Sequence, residues 1–94
     1  PALQKKYATK LATYYSSLAT RHLQREEYNK ALLNYDKAIA LYRANKAYDD
    51  MYTVYLTKSG VYKTTNETDK QIALIFEALK FFEKDKKKTD YKST

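Results

Sequence analysis

Apolar residues recur along this chain at steps of three and four, the period of a helix with one buried face, and they do so in four stretches. The first runs from about Leu3 to Gln24, with Leu3, Tyr7, Leu11, Tyr14, Tyr15, Leu18 and His22 on its stripe. The second, from about Glu27 to Ala44, carries Tyr28, Leu32, Tyr35, Ile39 and Tyr42, with Ala31 and Ala38 beside them. The third, from about Lys46 to Lys63, carries Tyr48, Tyr52, Tyr55 and Tyr62. The fourth, from about Asp69 to Lys84, carries Ile72, Ile75, Phe76, Leu79 and Phe82. Between the last two, Thr64 to Glu67 and Thr68 to Gln71 each have the spacing of a capping box, so a helix is expected to end and another to begin there. The Arg25-Glu26-Glu27 joint offers no glycine, proline or good cap, which makes it the weakest predicted boundary.

Composition narrows the fold class. The chain has 94 residues, one glycine, one proline and no cysteine, so it is sized for one domain and unsuited to a turn-rich β fold. Disulfides and cysteine-held metals are excluded. The longest apolar runs, Ile72–Phe76 and Ala38–Tyr42, fall far short of the ~18 residues of a membrane span. No basic start leads into an apolar stretch as in a signal peptide, so a cytoplasmic location is expected.

The chain also repeats itself. Residues 29–43 align without gaps on residues 69–83, at an offset of 40. Leu32 falls on Ile72, Tyr35 on Ile75, Ala38 on Ala78, Ile39 on Leu79 and Tyr42 on Phe82; the same offset sets Tyr15 on Tyr55 and His22 on Tyr62. Two copies of a helix–turn–helix unit account for this register. Tyr15, Leu18-Ala19, His22, Tyr28, Ala31, Tyr35 and Ala38 fall in the order of a tetratricopeptide repeat, with small residues where paired helices come closest. Residues 12–83 thus resemble the tetratricopeptide repeat family in a long-helix variant, since the usual period is ~34 residues. The second unit departs from the pattern at Lys58 and Gln71, and Arg43 stands where the repeat usually ends in proline.

The resemblance implies an all-α fold of four antiparallel helices, stacked as two units in an α-solenoid fragment. One helical-repeat domain would fill residues 1–94, with repeat 1 over about 3–44, repeat 2 over about 46–84 and a basic tail over 85–94. It implies a non-catalytic interaction or scaffolding module that holds a peptide or partner helix in a concave groove. Carried over by position, that groove takes Thr13, Ser16, Ser17, Thr20 and Gln24 from the first unit and Tyr52, Thr53, Leu56, Thr57, Gly60 and Thr64 from the second. A charged clamp for a terminal carboxylate, as in co-chaperone members, is not expected, because Ser16, Thr20, Thr53 and Thr57 occupy its places. Two units cannot cover every apolar face. Some of Leu74, Phe81 and Phe82 should be left open, either to neighbouring repeats or to another copy of the chain.

The remaining chemistry is sparse. The net charge of +7 sits at the ends: residues 1–10 hold three lysines and no acid, and residues 80–94 six lysines against Glu83, Asp85 and Asp90. Nucleic-acid binding through Lys5, Lys6, Lys10, Arg21, Arg25 and Lys84–Lys88 is the weaker alternative, since the body of the chain is nearly neutral. A helical bundle without a partner groove, natural or engineered, is another. His22 reads as a core or rim histidine with no evident carboxylate, and no nucleophile, phosphate loop or metal cluster is visible, so neither an enzyme nor a cofactor is expected. Eleven tyrosines fall largely on seven-residue stripes (7 and 14; 28, 35 and 42; 48, 55 and 62) and read as core. Tyr52 and Tyr91 lie off those stripes and are the candidates for exposed contacts. Asn66-Glu67-Thr68 fits a glycosylation triplet, but capping already accounts for Asn66.

Overall fold

The computed structural model describes the backbone of residues 2–93 and the side chains of residues 6–81. Among these residues the chain is four α-helices with no strand: α1 (Ala2–Gln24), α2 (Tyr28–Ala44), α3 (Tyr48–Thr64) and α4 (Thr68–Ser93). Among the described residues, substantial packing runs only between helices consecutive in the chain. The Cα positions span 45 × 33 × 13 Å, a slab far thinner than it is wide.

Every joint is the same turn. Glu26, Lys46 and Asn66 take the left-handed conformation at φ 62°, 58° and 60°. At each, the next amide reaches back to close the helix: Glu27 N–H donates to the His22 carbonyl (2.9 Å), Ala47 to Tyr42 (2.8 Å) and Glu67 to Tyr62 (2.9 Å). The left-handed residue itself donates one turn inward, Glu26 to Leu23, Lys46 to Arg43 and Asn66 to Lys63. This is the Schellman arrangement, which satisfies the last carbonyls of a helix. Glu27, Ala47 and Glu67 then accept the first bond of the following helix, from Ala31, Met51 and Gln71. The Arg25–Glu27 boundary therefore breaks without glycine. The capping boxes are replaced: Thr64 Oγ1 donates to the Gly60 carbonyl and Thr65 Oγ1 to the Tyr62 carbonyl and the Glu67 carboxylate. Glu67 N–H is meanwhile spent on Tyr62.

The α1–α2 seam is built from small residues flanked by tyrosines. Ala12 and Ala19 on α1 and Ala31 and Ala38 on α2 are fully buried, and both pairs are seven residues apart, so they line one face. Beside them Tyr42 Oη meets Thr13 Oγ1 at 2.7 Å and Tyr35 Oη meets Thr20 Oγ1 at 2.9 Å. The rings fill the core while the hydroxyls reach its edge. Tyr35, Tyr42 and Tyr55 are buried, as the stripes predict. Tyr7 and Tyr14 are not: they stand 64% and 59% exposed, because α1 has a neighbour on one side only.

Two further expectations change. The fourth helix, expected to end at about Lys84, runs on to Ser93; residues 85–93 contain no helix breaker to stop it. On α4, Leu74 is buried and Phe81 half-buried, while Ile72, Ile75, Phe76 and Leu79 face outward. Phe82 and Tyr91 lie outside the described side chains. The uncovered face exists, but α4 is rotated so that Leu74, Ala78 and Phe81 form its inner row.

A non-glycine residue in the left-handed region costs roughly 1–2 kcal/mol, partly offset in the substitution by glycine's greater chain entropy. Glu26→Gly and Lys46→Gly should each raise stability by about 0.5–1 kcal/mol in urea unfolding, and Asn66→Gly by less, because asparagine tolerates this conformation. Loss of stability at Glu26 and Lys46 would contradict the assigned turn.

Candidate functional site

The residues expected to line one groove lie on helices that do not pack substantially against each other, α1 for Thr13, Ser16, Ser17, Thr20 and Gln24, and α3 for Tyr52, Thr53, Leu56, Thr57 and Thr64. The hydroxyl protons of the threonines among them are already committed. Thr13, Thr20, Thr53, Thr57 and Thr64 each donate to the carbonyl four residues back, at 3.0–3.1 Å. With those protons placed, Thr13 and Thr20 accept from Tyr42 and Tyr35, so they belong to the α1–α2 seam. Ser17, Gln24, Thr53 and Thr64 are exposed, and Ser16 and Thr57 half-buried.

Tyr52 and Leu56 do meet at a site. Together with Tyr55 and Ser59 of α3 and Leu74, Ile75, Ala78 and Leu79 of α4, they line a groove of about 210 Å³. Its walls are almost wholly apolar, and Leu56 is 74% exposed at its rim. Beyond the rim the apolar surface continues over α4 through Ile72 and Phe76, the latter 65% exposed. The α4 half of this site is missing from the sequence reading, which assigns Ile75, Ala78 and Leu79 to packing and leaves Leu74 open only to a neighbouring repeat or another copy. A signal was there: from Ile72 to Phe82 only Glu77 and Lys80 are polar, and a helix apolar on all sides is one covered on more than one side.

Polar ties hold the groove's floor. Arg43 donates to Tyr55 Oη at 2.7 Å, approaches Glu77 Oε1 at 3.6 Å and lies over the Phe81 ring at 4.4 Å, so it joins α2 to both α3 and α4. Burial, with the nearby Glu77 charge, pushes the Tyr55 phenol above its usual range; Arg43 opposes this. Lys58 pairs with Asp36 across α2–α3 and lies 5.8 Å from the Tyr62 ring centre. Gln71 Nε2 donates to Ser59 Oγ at 3.2 Å across α3–α4.

At one end of the slab, joints one and three bound an open cleft of about 450 Å³, lined by Tyr28 and Leu32 as well as by Glu26, Glu27, Lys30, Thr65 and Glu67. His22 has a carboxylate after all: the turn returns Glu27 Oε1 to 3.0 Å from His22 Nδ1. Lys30 completes that group at 3.4 Å. Forty residues on, Glu67 pairs with Thr65 at 2.7 Å and Lys70 at 2.9 Å. The His22 bond holds the Glu27 carboxyl below its usual range, with help from Lys30. The Thr65 bond and Lys70 do the same for Glu67, and Glu67 in turn raises Lys70. These contacts fasten each carboxylate to its own turn.

Among the described residues no three His, Asp or Glu side chains converge as a metal site, and no helix is long and apolar enough to cross a membrane. Of the basic residues offered for nucleic acid, Lys6, Lys10, Arg21 and Arg25 are exposed, while the side chains of Lys5 and Lys84–Lys88 lie outside the described set. No family model, curated protein or solved structure matches the chain.

The two carboxylates fix a pH dependence. Their folded-state values lie below the ordinary 4.5, so their stabilisation is complete above that pH and is lost as pH falls through the lowered values. A Glu27→Gln, Glu67→Gln double variant should lose less stability than the parent chain over that acid range, as read from urea midpoints. Identical acid profiles would contradict the pairing.

Proposed function

We propose that the chain is a non-catalytic protein-binding module, built as an open array of two antiparallel, tetratricopeptide-like helix–turn–helix units, whose α3–α4 groove receives a peptide or partner helix. The single observation that carries this reading is the groove itself, an apolar cleft open to solvent between two helices. Tyr52, Tyr55 and Ser59 are the only polar residues in its wall, so it presents no acid, base or metal ligand for chemistry. Its volume falls below the ~300–1,000 Å³ of sites for drug-sized molecules. Side-chain anchors spaced at i, i+3 and i+4 along a helix suit it better.

The antiparallel array draws support from the cross-helix pairs. Thr13 with Tyr42 and Thr20 with Tyr35 advance in opposite chain directions, as do Asp36 with Lys58 and Arg43 with Tyr55. Without substantial α1–α4 packing, the ring of a closed four-helix bundle is a poor description. Binding would be helix-in-groove recognition by burial. The back-bonded threonines nearby can accept hydrogen bonds but have no proton left to give.

Selection of helical peptides from a displayed library on the isolated chain tests this. Binders should carry an apolar i, i+3/i+4, i+7 pattern and bind with little salt dependence. Leu56→Asp should weaken them by about 2 kcal/mol, roughly thirty-fold in Kd, whereas Leu33→Asp, an exposed leucine on α2, should leave them unchanged. Peptides indifferent to Leu56→Asp, or held only at low salt, would overturn the reading.

A further inference from the structure

We infer that α1 of a second copy covers the exposed face of α4 that Ile72, Phe76 and Leu79 form beside the groove, so that the chain stacks head to tail. The inference goes beyond the groove reading, since it concerns the outer face of α4. The argument starts from the internal repeat. The α2–α3 joint already brings the second helix of one unit against the first helix of the next, and the chain carries both halves of that joint again, unused, at its two ends.

Consider first α1. Shifted by 40 residues, Tyr7, Leu11, Tyr14 and Leu18 fall on Ala47, just before α3, and on Met51, Val54 and Lys58 within it. There, with helices on both sides, Met51 and Val54 are buried and Ala47 and Lys58 half-buried. In α1, Tyr7, Leu11 and Tyr14 are exposed. On α4 the relation is the same. Ile72, Phe76 and Leu79 are exposed, and they fall on Leu32, Asp36 and Ile39 of α2. There Asp36 makes its pair with α3 and Ile39 is buried. Each end of the molecule therefore displays, at the same i, i+4, i+7 spacing, the register its interior covers with the neighbouring unit.

Two substitutions between the repeats make the ends suit each other. The inner joint holds the ion pair of Asp36 with Lys58; the equivalent positions at the ends are Phe76 and Leu18. Both charges are absent together, and both replacements are apolar, so the pairing is kept with its chemistry exchanged. Repeating the inner register further sets Asp69 of α4 opposite Arg25, in the turn that follows the second copy's α1. Both are exposed in the single chain, and they are opposite in charge.

A contact between two different faces is heterologous, so it does not close at two copies and continues as an open series unless its rotation closes a ring. Sedimentation velocity and light scattering on the full chain should show a mean mass that climbs steadily with concentration. Leu11→Asp and Phe76→Asp, each an exposed position, should separately give monomers of unchanged helicity by circular dichroism. Mixed in equal amounts they should give a dimer that grows no further, since one sound α4 face then meets one sound α1 face. Asp69→Arg should weaken the series, and Arg25→Asp in the same chain should restore it.

A parent chain that stays monomeric to roughly 1 mM, weaker than about 4 kcal/mol of association, overturns the inference. So does a dimer that Leu11→Asp leaves intact, which would mean α4 against α4. A monomer that still captures helical peptides through Leu56 removes the second copy and leaves the groove reading standing. A monomer that captures none removes both.

Discussion

Direction and phase in this chain are set at its turns. Each of the first three helices ends on a residue in left-handed backbone, whose following amide reaches back across the last turn, and the three joints recur at Glu26, Lys46 and Asn66. Because the closing bond also delivers the acceptor for the next helix, one helix stops and another starts within three residues. No slack remains to reorient the chain between them. The equal lengths of α2 and α3, 17 residues each, follow from that spacing. So does the alignment of side chains that lie forty residues apart, on which both seams and grooves depend.

Between those fixed turns the contacts change in kind along the molecule. The α1–α2 seam is lined by fully buried alanines from both helices, with tyrosine–threonine pairs at its edge. The joints beyond it rely more on long polar side chains: Arg43, Lys58 and Gln71 each cross from one helix to the next. Long side chains hold helices together without bringing their backbones close, and a cleft is left between α3 and α4. The site is thus a product of looser packing in the second unit.

Much of this could be seen in the amino-acid order. The heptad-spaced tyrosines of α2 and the alanines beside them marked its inner face, and the offset of 40 marked the repeat. The departures from the repeat were visible as departures, at Arg43, Lys58 and Gln71; the structure adds that these are the residues that tie one helix to the next. What stayed hidden depends on neighbours. Tyr7 and Tyr14 carry the same spacing as Tyr35 and Tyr42 yet face outward, since periodicity tells which residues share a face and not whether anything covers it. The return of Glu27 to His22 was hidden for another reason: it needs the left-handed turn at Glu26, a conformation glutamate does not advertise.

The paired hydroxyls of the first seam have a mechanical meaning. Thr13 with Tyr42 and Thr20 with Tyr35 sit two helical turns apart, like two teeth of a rack, with buried alanines between them. Sliding α1 along α2 by one turn, about 5.4 Å, would disengage both teeth together and press tyrosine rings into space only a methyl group fits. The first hairpin is therefore a stiff strut, and compliance under load belongs to the later joints, where lysine, arginine and glutamine can extend or fold as their helices shift.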